Sequence, residues 1–174
     1  EKFFYQNTLA SKGKYERCSW FEVACCTANA ARFLATFPGY IYAHSEEEVF
    51  INLFVKSTAN FEFKGTELEI VQETRYPWFG SVKIGINPNR VREFTVCLRI
   101  PGWAQNKPLP GNLYSYLEGT SGQIVVRLNR KLVPVEVDHG YLRLKRKWTR
   151  GDAIEVLLPL EIKRVIAHEK VKED

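Results

Sequence analysis

The chain has 174 residues, enough for one domain of ordinary size or a domain with a short extra segment. Its 45% hydrophobic and 13% aromatic residues can form a real core, which excludes bulk disorder, and no apolar run approaches the ~18 residues of a membrane span. Lys and Arg number 25 against 20 Asp and Glu, a formal +5 that is too mild to identify a polyanion-binding protein.

The N-terminal residues Glu1-Lys2-Phe3-Phe4-Tyr5 show no basic region followed by an apolar stretch, so no signal peptide is visible. There is no Met, even at position 1, and this predicts a processed or excised piece of a longer protein. The compartment stays open between the cytoplasm and periplasm of a bacterium.

Residues 27–37 are Ala-rich. Phe33, Leu34 and Phe37 suit one helix face, and Pro38-Gly39 stops the helix. Cys25 and Cys26 then fall at or just before its N-terminus. From Tyr40 onward the hydrophobic period changes from about 3.6 to 2. Alternation is expected in Val49, Ile51, Leu53 and Val55, in Leu68 and Ile70, and in Val82, Ile84 and Ile86. Phe94, Val96, Leu98 and Ile100 give the clearest strand, with Thr95, Cys97 and Arg99 on its other face. Ile124, Val126 and Leu128 follow, then Val133, Val135 and Val137, then residues 141–148 with Leu142 and Leu144. Ile154, Val156, Leu158, Leu160 and Ile162 alternate last. Turn residues separate the runs: Asn87-Pro88-Asn89, Pro101-Gly102, residues 108–112, Asp138-His139-Gly140 and residues 149–152. Eight or nine short strands without intervening helices predict an antiparallel β-sandwich, with Val96, Leu98, Ile100, Ile154, Val156 and Leu158 in its core. The charged tail, residues 169–174, is expected to fray.

Arg143, Lys145, Arg146, Lys147 and Arg150 form a basic cluster, but Asp138, Asp152 and Glu155 break up its field. A solvated strand face is the expected reading, with no nucleic-acid or membrane partner. Glu46, Glu47 and Glu48 read as a solvated hairpin turn rather than as a carboxylate pair for catalysis. His44, His139 and His168 are scattered singletons.

The four cysteines are Cys18, Cys25, Cys26 and Cys97, too few and too spread for a disulfide scaffold. Cys97 is expected to be a small buried or half-buried strand residue. Adjacent Cys25 and Cys26 at a helix start suit thiolate chemistry or metal binding, because exposed N–H groups and the helix dipole favour negative charge there. Spacing alone leaves a second reading open, in which both are apolar core residues of an Ala-rich helix.

The stretch Trp20-Phe21-Glu22-Val23-Ala24-Cys25-Cys26-Thr27-Ala28-Asn29-Ala30-Ala31-Arg32 resembles the signature of glycoside hydrolase family 127, the β-L-arabinofuranosidase family. So does Phe4-Tyr5-Gln6-Asn7-Thr8-Leu9-Ala10-Ser11 before it. Matches continue in order through Gly39-Tyr40-Ile41-Tyr42, Glu73-Thr74-Arg75-Tyr76-Pro77-Trp78 and Leu98-Arg99-Ile100-Pro101-Gly102-Trp103-Ala104. Gly140-Tyr141, Trp148-Thr149-Arg150-Gly151-Asp152 and Leu158-Pro159-Leu160 complete the series. The resemblance covers nearly the whole chain. Its most specific elements are the cysteine pair with Asn29 and Arg32, and the run from Arg99 to Ala104.

The resemblance implies a mainly β chain: an antiparallel β-sandwich, residues 39–174, preceded by the last helical elements of an (α/α)6 barrel, residues 1–38. It implies a retaining glycosidase whose nucleophile is a zinc-bound cysteine thiolate. Cys25 takes the place of that nucleophile, and Cys25 and Cys26 those of two Zn2+ ligands. The other ligands, a glutamate and a cysteine, and the acid/base glutamate are expected upstream in the helical catalytic domain, so Cys18 and Glu22 are not assigned to them. The piece alone is expected to be inactive and to hold Zn2+ poorly or not at all. Two departures are visible: Thr27-Ala28 stands where the family usually has proline after the pair, and Asn129-Arg130 where it has an Asn-Gly turn. The alternative is a non-catalytic sandwich that braces a barrel or binds carbohydrate. Exposed Tyr76, Trp78 and Trp103 would suit the sugar-binding form of it, buried ones a core.

Overall fold

The structure is a computed structural model describing residues 13, 16, 18, 22, 23, 25–119 and 122–171. The signature run 4–11, Trp20, Phe21, Ala24 and the last three residues of the tail lie outside these. The chain divides into two compact units, residues 1–40 and 41–174, each described by itself.

In the first unit, α1 spans Cys25–Thr36 and a 3-10 turn, Phe37–Tyr40, follows. Four alanines with high helix propensity sustain α1. Its last turn is tightened by the Thr36 hydroxyl, which donates to the carbonyls of Arg32 and Phe33 at 3.1 Å. Pro38 has no N–H to continue the ladder. The Phe33 ring meets Phe37 edge-on at 6.0 Å and Tyr40 at 6.1 Å.

In the second unit the strands are β1 (Tyr42–His44), β2 (Glu48–Ile51), β3 (Ser57–Phe63), β4 (Thr66–Thr74), β5 (Ser81–Pro88) and β6 (Arg92–Arg99). After a 3-10 turn at Gly102–Gln105 come β7 (Tyr114–Tyr116), β8 (Val125–Leu128), β9 (Lys131–Val133), β10 (Val137–Asp138), β11 (Tyr141–Trp148), β12 (Asp152–Leu157) and β13 (Val165–Ala167). A five-stranded sheet has the order β1-β2-β6-β11-β10, and a six-stranded sheet the order β3-β4-β5-β12-β8-β9. β7 and β13 form a small third sheet. Pairing is antiparallel except for β2 against β6. The longest register in the five-stranded sheet sets Tyr141 against Arg99 and Trp148 against Arg92.

Two-residue turns close the hairpins β3–β4, β8–β9 and β10–β11. Each places both loop residues at positive φ: Lys64-Gly65, Asn129-Arg130 and His139-Gly140. This is the type I′ geometry whose twist matches that of the flanking strands.

The inward faces of the two large sheets share one core. Val49, Ile51, Phe94, Val96, Leu98, Leu142, Leu144 and Trp148 come from the first, and Leu68, Ile70, Val82, Ile84, Ile86, Val126, Ile154 and Val156 from the second. Ile100 and Leu158 join from just beyond strand ends, so all six expected core residues are buried. Trp148 is fully buried and donates its indole N–H to the Phe94 carbonyl at 3.0 Å.

Several strand limits differ from the sequence expectation. The alternation through Leu53 and Val55 breaks because β2 ends at Ile51 and the chain crosses to the other sheet; the buried Gln72 amide donates to the Leu53 carbonyl at 3.1 Å in that crossing. Asn87 and Pro88 are not turn residues but the end of β5, with Pro88 opposite Leu68. Val133 and Val137 lie on strands of different sheets, separated at Pro134. Leu160 and Ile162 are exposed, because β12 ends at Leu157 and Pro159 interrupts the alternation beyond it. Glu48 belongs to β2 rather than to the turn before it.

Candidate active site

Cys25 and Cys26 are the first two residues of α1, and both are exposed. Their sulfurs are 3.9 Å apart, far beyond the ~2.05 Å of a disulfide. The first-turn amides of a helix have no intrahelical acceptor, and this first turn carries no acidic residue to compete for them. The pair therefore sits where partial positive charge is concentrated.

The separation also bears on metal binding. Two thiolates on one tetrahedral zinc, each ~2.3 Å from it, stand about 3.8 Å apart. The observed 3.9 Å fits that edge without rearrangement. Among the described residues no group of three or more His, Cys, Asp or Glu is gathered for a metal. The pair can thus supply two of four positions. Cys18 and Glu22 are exposed and join no such group.

Asn29 and Arg32 follow Cys25 at i+4 and i+7, which sets all three on one face of α1. Both are exposed. In the sequence they stand out only as parts of the motif; their helical spacing is the signal that puts an amide and a guanidinium on the same helix face as Cys25.

The other candidates have structural partners. Cys97 lies fully buried on the outer face of β6, under the ion pair of Arg143 with Glu48. Its sulfur is 3.7 Å from an Arg143 nitrogen. Burial, and then the Glu48 carboxylate, push the Cys97 thiol up to about 11, so it stays protonated. Glu47 pairs with Lys64 at 2.5 Å. The His44 ring stacks on Phe61 at 5.7 Å, His139 meets Asp138 at 2.6 Å, and His168 accepts from the Lys170 amide at 3.1 Å. In the basic cluster, Arg143 pairs with Glu48, and Arg146 approaches Asp152 at 3.6 Å while lying over the Trp148 ring. Tyr76 and Trp103 pack against the core, whereas Trp78 is 82% exposed. These three rings therefore do not form a flat exposed row.

A family profile described as "Beta-L-arabinofuranosidase, GH127 middle domain" matches residues 48–160. The chain belongs to glycoside hydrolase family 127. Among its relatives is the non-reducing end β-L-arabinofuranosidase of Bifidobacterium longum subsp. longum, 29% identical over 165 residues, with 91% of this chain and 22% of the relative covered. A solved GH127 β-arabinofuranosidase superposes with a TM-score of 0.91 at 40% identity, over 99% of this chain and 27% of that one. A GH127 β-L-arabinofuranosidase from Geobacillus stearothermophilus T6 gives 0.75 at 34% identity, over 90% of this chain and 22% of that one. The chain thus spans about a quarter of the length of these family 127 members.

Proposed function

We propose that this chain supplies the nucleophile half of the active site of a retaining glycoside hydrolase acting on β-L-arabinofuranosides, with Cys25 as nucleophile and Cys26 as a zinc ligand beside it. One observation carries the reading: in a GH127 chain, two adjacent exposed thiols open a helix with their sulfurs 3.9 Å apart. The acid/base carboxyl and two further zinc ligands belong to an upstream helical domain, so the piece alone is inactive.

Cys25 Sγ attacks the anomeric carbon on the face opposite the leaving oxygen. The C–S bond forms as the C–O bond breaks, and the departing oxygen takes a proton from the upstream carboxyl. Water then attacks the same carbon, the sulfur leaves with its electron pair, and the carboxylate takes up the water proton. Two inversions at one carbon give net retention. Zinc held by Cys25 and Cys26 with the upstream ligands would keep the thiols ionised at neutral pH. The amides of the first turn of α1 favour the same charge.

The test uses the complete protein. Cys25→Ser is expected to lower turnover of a β-L-arabinofuranoside by a factor on the order of 10⁴ or more, since serine's hydroxyl ionises far less readily. Cys26→Ser is expected to raise the zinc concentration needed for activity. Turnover is measured per folded molecule, with zinc content on the same samples. Near-normal turnover by Cys25→Ser would overturn the proposal.

A further inference from the structure

The outer face of the five-stranded sheet holds more positive charge than its own carboxylates neutralise. A groove of about 580 Å³ lies there, walled by Lys145 and Lys147 of β11, Glu93 and Thr95 of β6, Lys64 of the β3–β4 turn and Arg92 at the start of β6. The register sets Lys145 opposite Thr95 and Lys147 opposite Glu93. Residues two apart on a strand share a face at about 6.8 Å, so the two exposed lysines leave the sheet side by side.

The ion pairs separate the engaged charges from the rest. Lys64 holds Glu47 at 2.5 Å, and Arg143 holds Glu48. Among the described residues, Lys145, Lys147 and Arg92 pair with no carboxylate. Arg92 gives one N–H to the Lys64 carbonyl at 2.7 Å, and its buried Nε has no acceptor. Once the paired groups are set aside, Glu93 alone opposes three cations along the groove. A single lysine on a strand is ordinarily solvated, whereas several uncompensated cations along one concave wall attract a multiply charged anion. The groove also has room for a chain: β10 pairs with β11 only at Tyr141 and Leu142, and among the described residues no strand covers the edge beyond them.

We propose that this groove binds a carboxylate-bearing carbohydrate, a run of uronate residues, with Lys145, Lys147 and Arg92 facing its carboxylates. Membership of a glycoside hydrolase family makes carbohydrate the class of chain this protein meets, and charge complementarity selects an acidic one. The Thr95 hydroxyl, opposite Lys145, is placed to exchange hydrogen bonds with sugar hydroxyls in the same groove. The proposal stands apart from the thiolate reading of Cys25 and Cys26, and its test reads binding rather than turnover.

The probe is a fluorescent galacturonate decamer, titrated into the complete protein at an ionic strength of about 20 mM. It should bind at least tenfold more tightly than a neutral arabinan oligosaccharide of the same length, and salt at about 0.5 M should abolish the difference. Lys145→Gln with Lys147→Gln should weaken decamer binding at least tenfold. Lys83→Gln with Lys131→Gln, which removes the same charge from the six-stranded sheet, should leave it unchanged. An unaltered thermal midpoint verifies that both double variants are folded. No binding of the decamer, equal binding of the neutral oligosaccharide, or equal losses in the two double variants would overturn the proposal. So would a single-stranded oligodeoxynucleotide of equal charge binding as tightly as the decamer, which would mark a general polyanion surface. Resistance of Lys145 and Lys147 to acetylation in the ligand-free complete protein would overturn it as well, because the groove would then be covered.

Discussion

Asp152 ties the start of β12 to the β8–β9 turn and to the turn before β12, and replacing it tests how much that tie contributes. It opens β12 opposite Ile86 and is 5% exposed. One carboxylate oxygen accepts from the Asn129 amide at 2.7 Å, the other from the Thr149 N–H at 2.9 Å, and Arg146 lies 3.6 Å away. Asn129 is fixed in turn by exchanging hydrogen bonds with Ala153 at 2.8 Å. Two bonds to a charged acceptor contribute about 1.5–3 kcal/mol each, and the part-exposed Arg146 under about 1. Asp152→Ala should therefore cost about 3–5 kcal/mol, since it also strands the Asn129 amide. Asp152→Asn, which keeps the shape, should cost about 1–2. Burial alone would raise this carboxyl, but the bonds from Asn129 and Thr149 and the Arg146 charge outweigh it, so its folded value lies below the usual range. A depressed folded value means that the stabilisation is complete above the unfolded value of about 3.9 and fades as pH falls through the folded one. The gap between wild type and Asp152→Asn should accordingly close at low pH, where the native side chain is protonated too. Native-state hydrogen exchange of the β11 and β12 amides in the complete protein reads the opening free energy at pH 7, and thermal midpoints track the gap downward in pH. A cost below about 1 kcal/mol for Asp152→Ala, or a gap constant down to the lowest pH, would refute this reasoning.

Gly80→Ala should cost at least about 3 kcal/mol, because the added Cβ would stand 2.0 Å from the Leu158 carbonyl oxygen, beside the Leu158 N–H bond to the Gly80 carbonyl; hydrogen exchange of the β12 amides reads the loss. Arg130→Gly should stabilise the β8–β9 hairpin by about 1 kcal/mol, since φ of 69° strains a side-chain-bearing residue there but not glycine; protection of the β8 and β9 amides should rise. Cys97, with a value near 11 against an ordinary 9.0, should carry about a hundredfold less thiolate and react with iodoacetamide at pH 8 only upon unfolding, as peptide mapping of the zinc-depleted complete protein would show.

Residues that pack into the sandwich core were legible wherever burial is one-sided. Val82, Ile84 and Ile86 alternate with Lys83 and Gly85 because one face of β5 meets the core and the other meets water. The same rule fails where the chain changes sheets, since periodicity does not register which sheet a strand joins. Leu53 and Val55 continue the rhythm of β2 after β2 has ended, and Val133 and Val137 keep a common beat on two different sheets. Leu160 and Ile162 show a second limit: apolar residues that stand exposed look like core residues in a sequence. Cys97, read as a small buried or half-buried strand residue, is fully buried, with Phe50 and Arg143 opposite it on the flanking strands. For the candidate site, the helix start and the cysteine pair were readable, whereas the alignment of Asn29 and Arg32 with Cys25 emerges once α1 is seen to begin at Cys25 itself.

On the proposed reading, the distance between the two sulfurs bears on what a bridging cation would do for the pair. Two unit negative charges about 4 Å apart repel by about 1 kcal/mol in bulk water, and by about 4 at the effective dielectric near a protein surface. A helix N-terminus returns about 0.3–1 kcal/mol per anion when exposed. At the observed 3.9 Å the mutual repulsion of two thiolates is at least as large as what the dipole gives. One thiolate would be favoured at such a helix start; a second one next to it is not, unless positive charge is placed between them. A cation bridging both sulfurs turns the repulsion into two attractions. The test uses the zinc-free complete protein. Adding zinc should release protons, measurable by calorimetry in buffers of different ionisation enthalpy, and Cys26→Ser should release fewer. Zinc uptake without proton release at neutral pH would mean that both sulfurs were already ionised, contrary to the electrostatics of adjacent residues at a helix end.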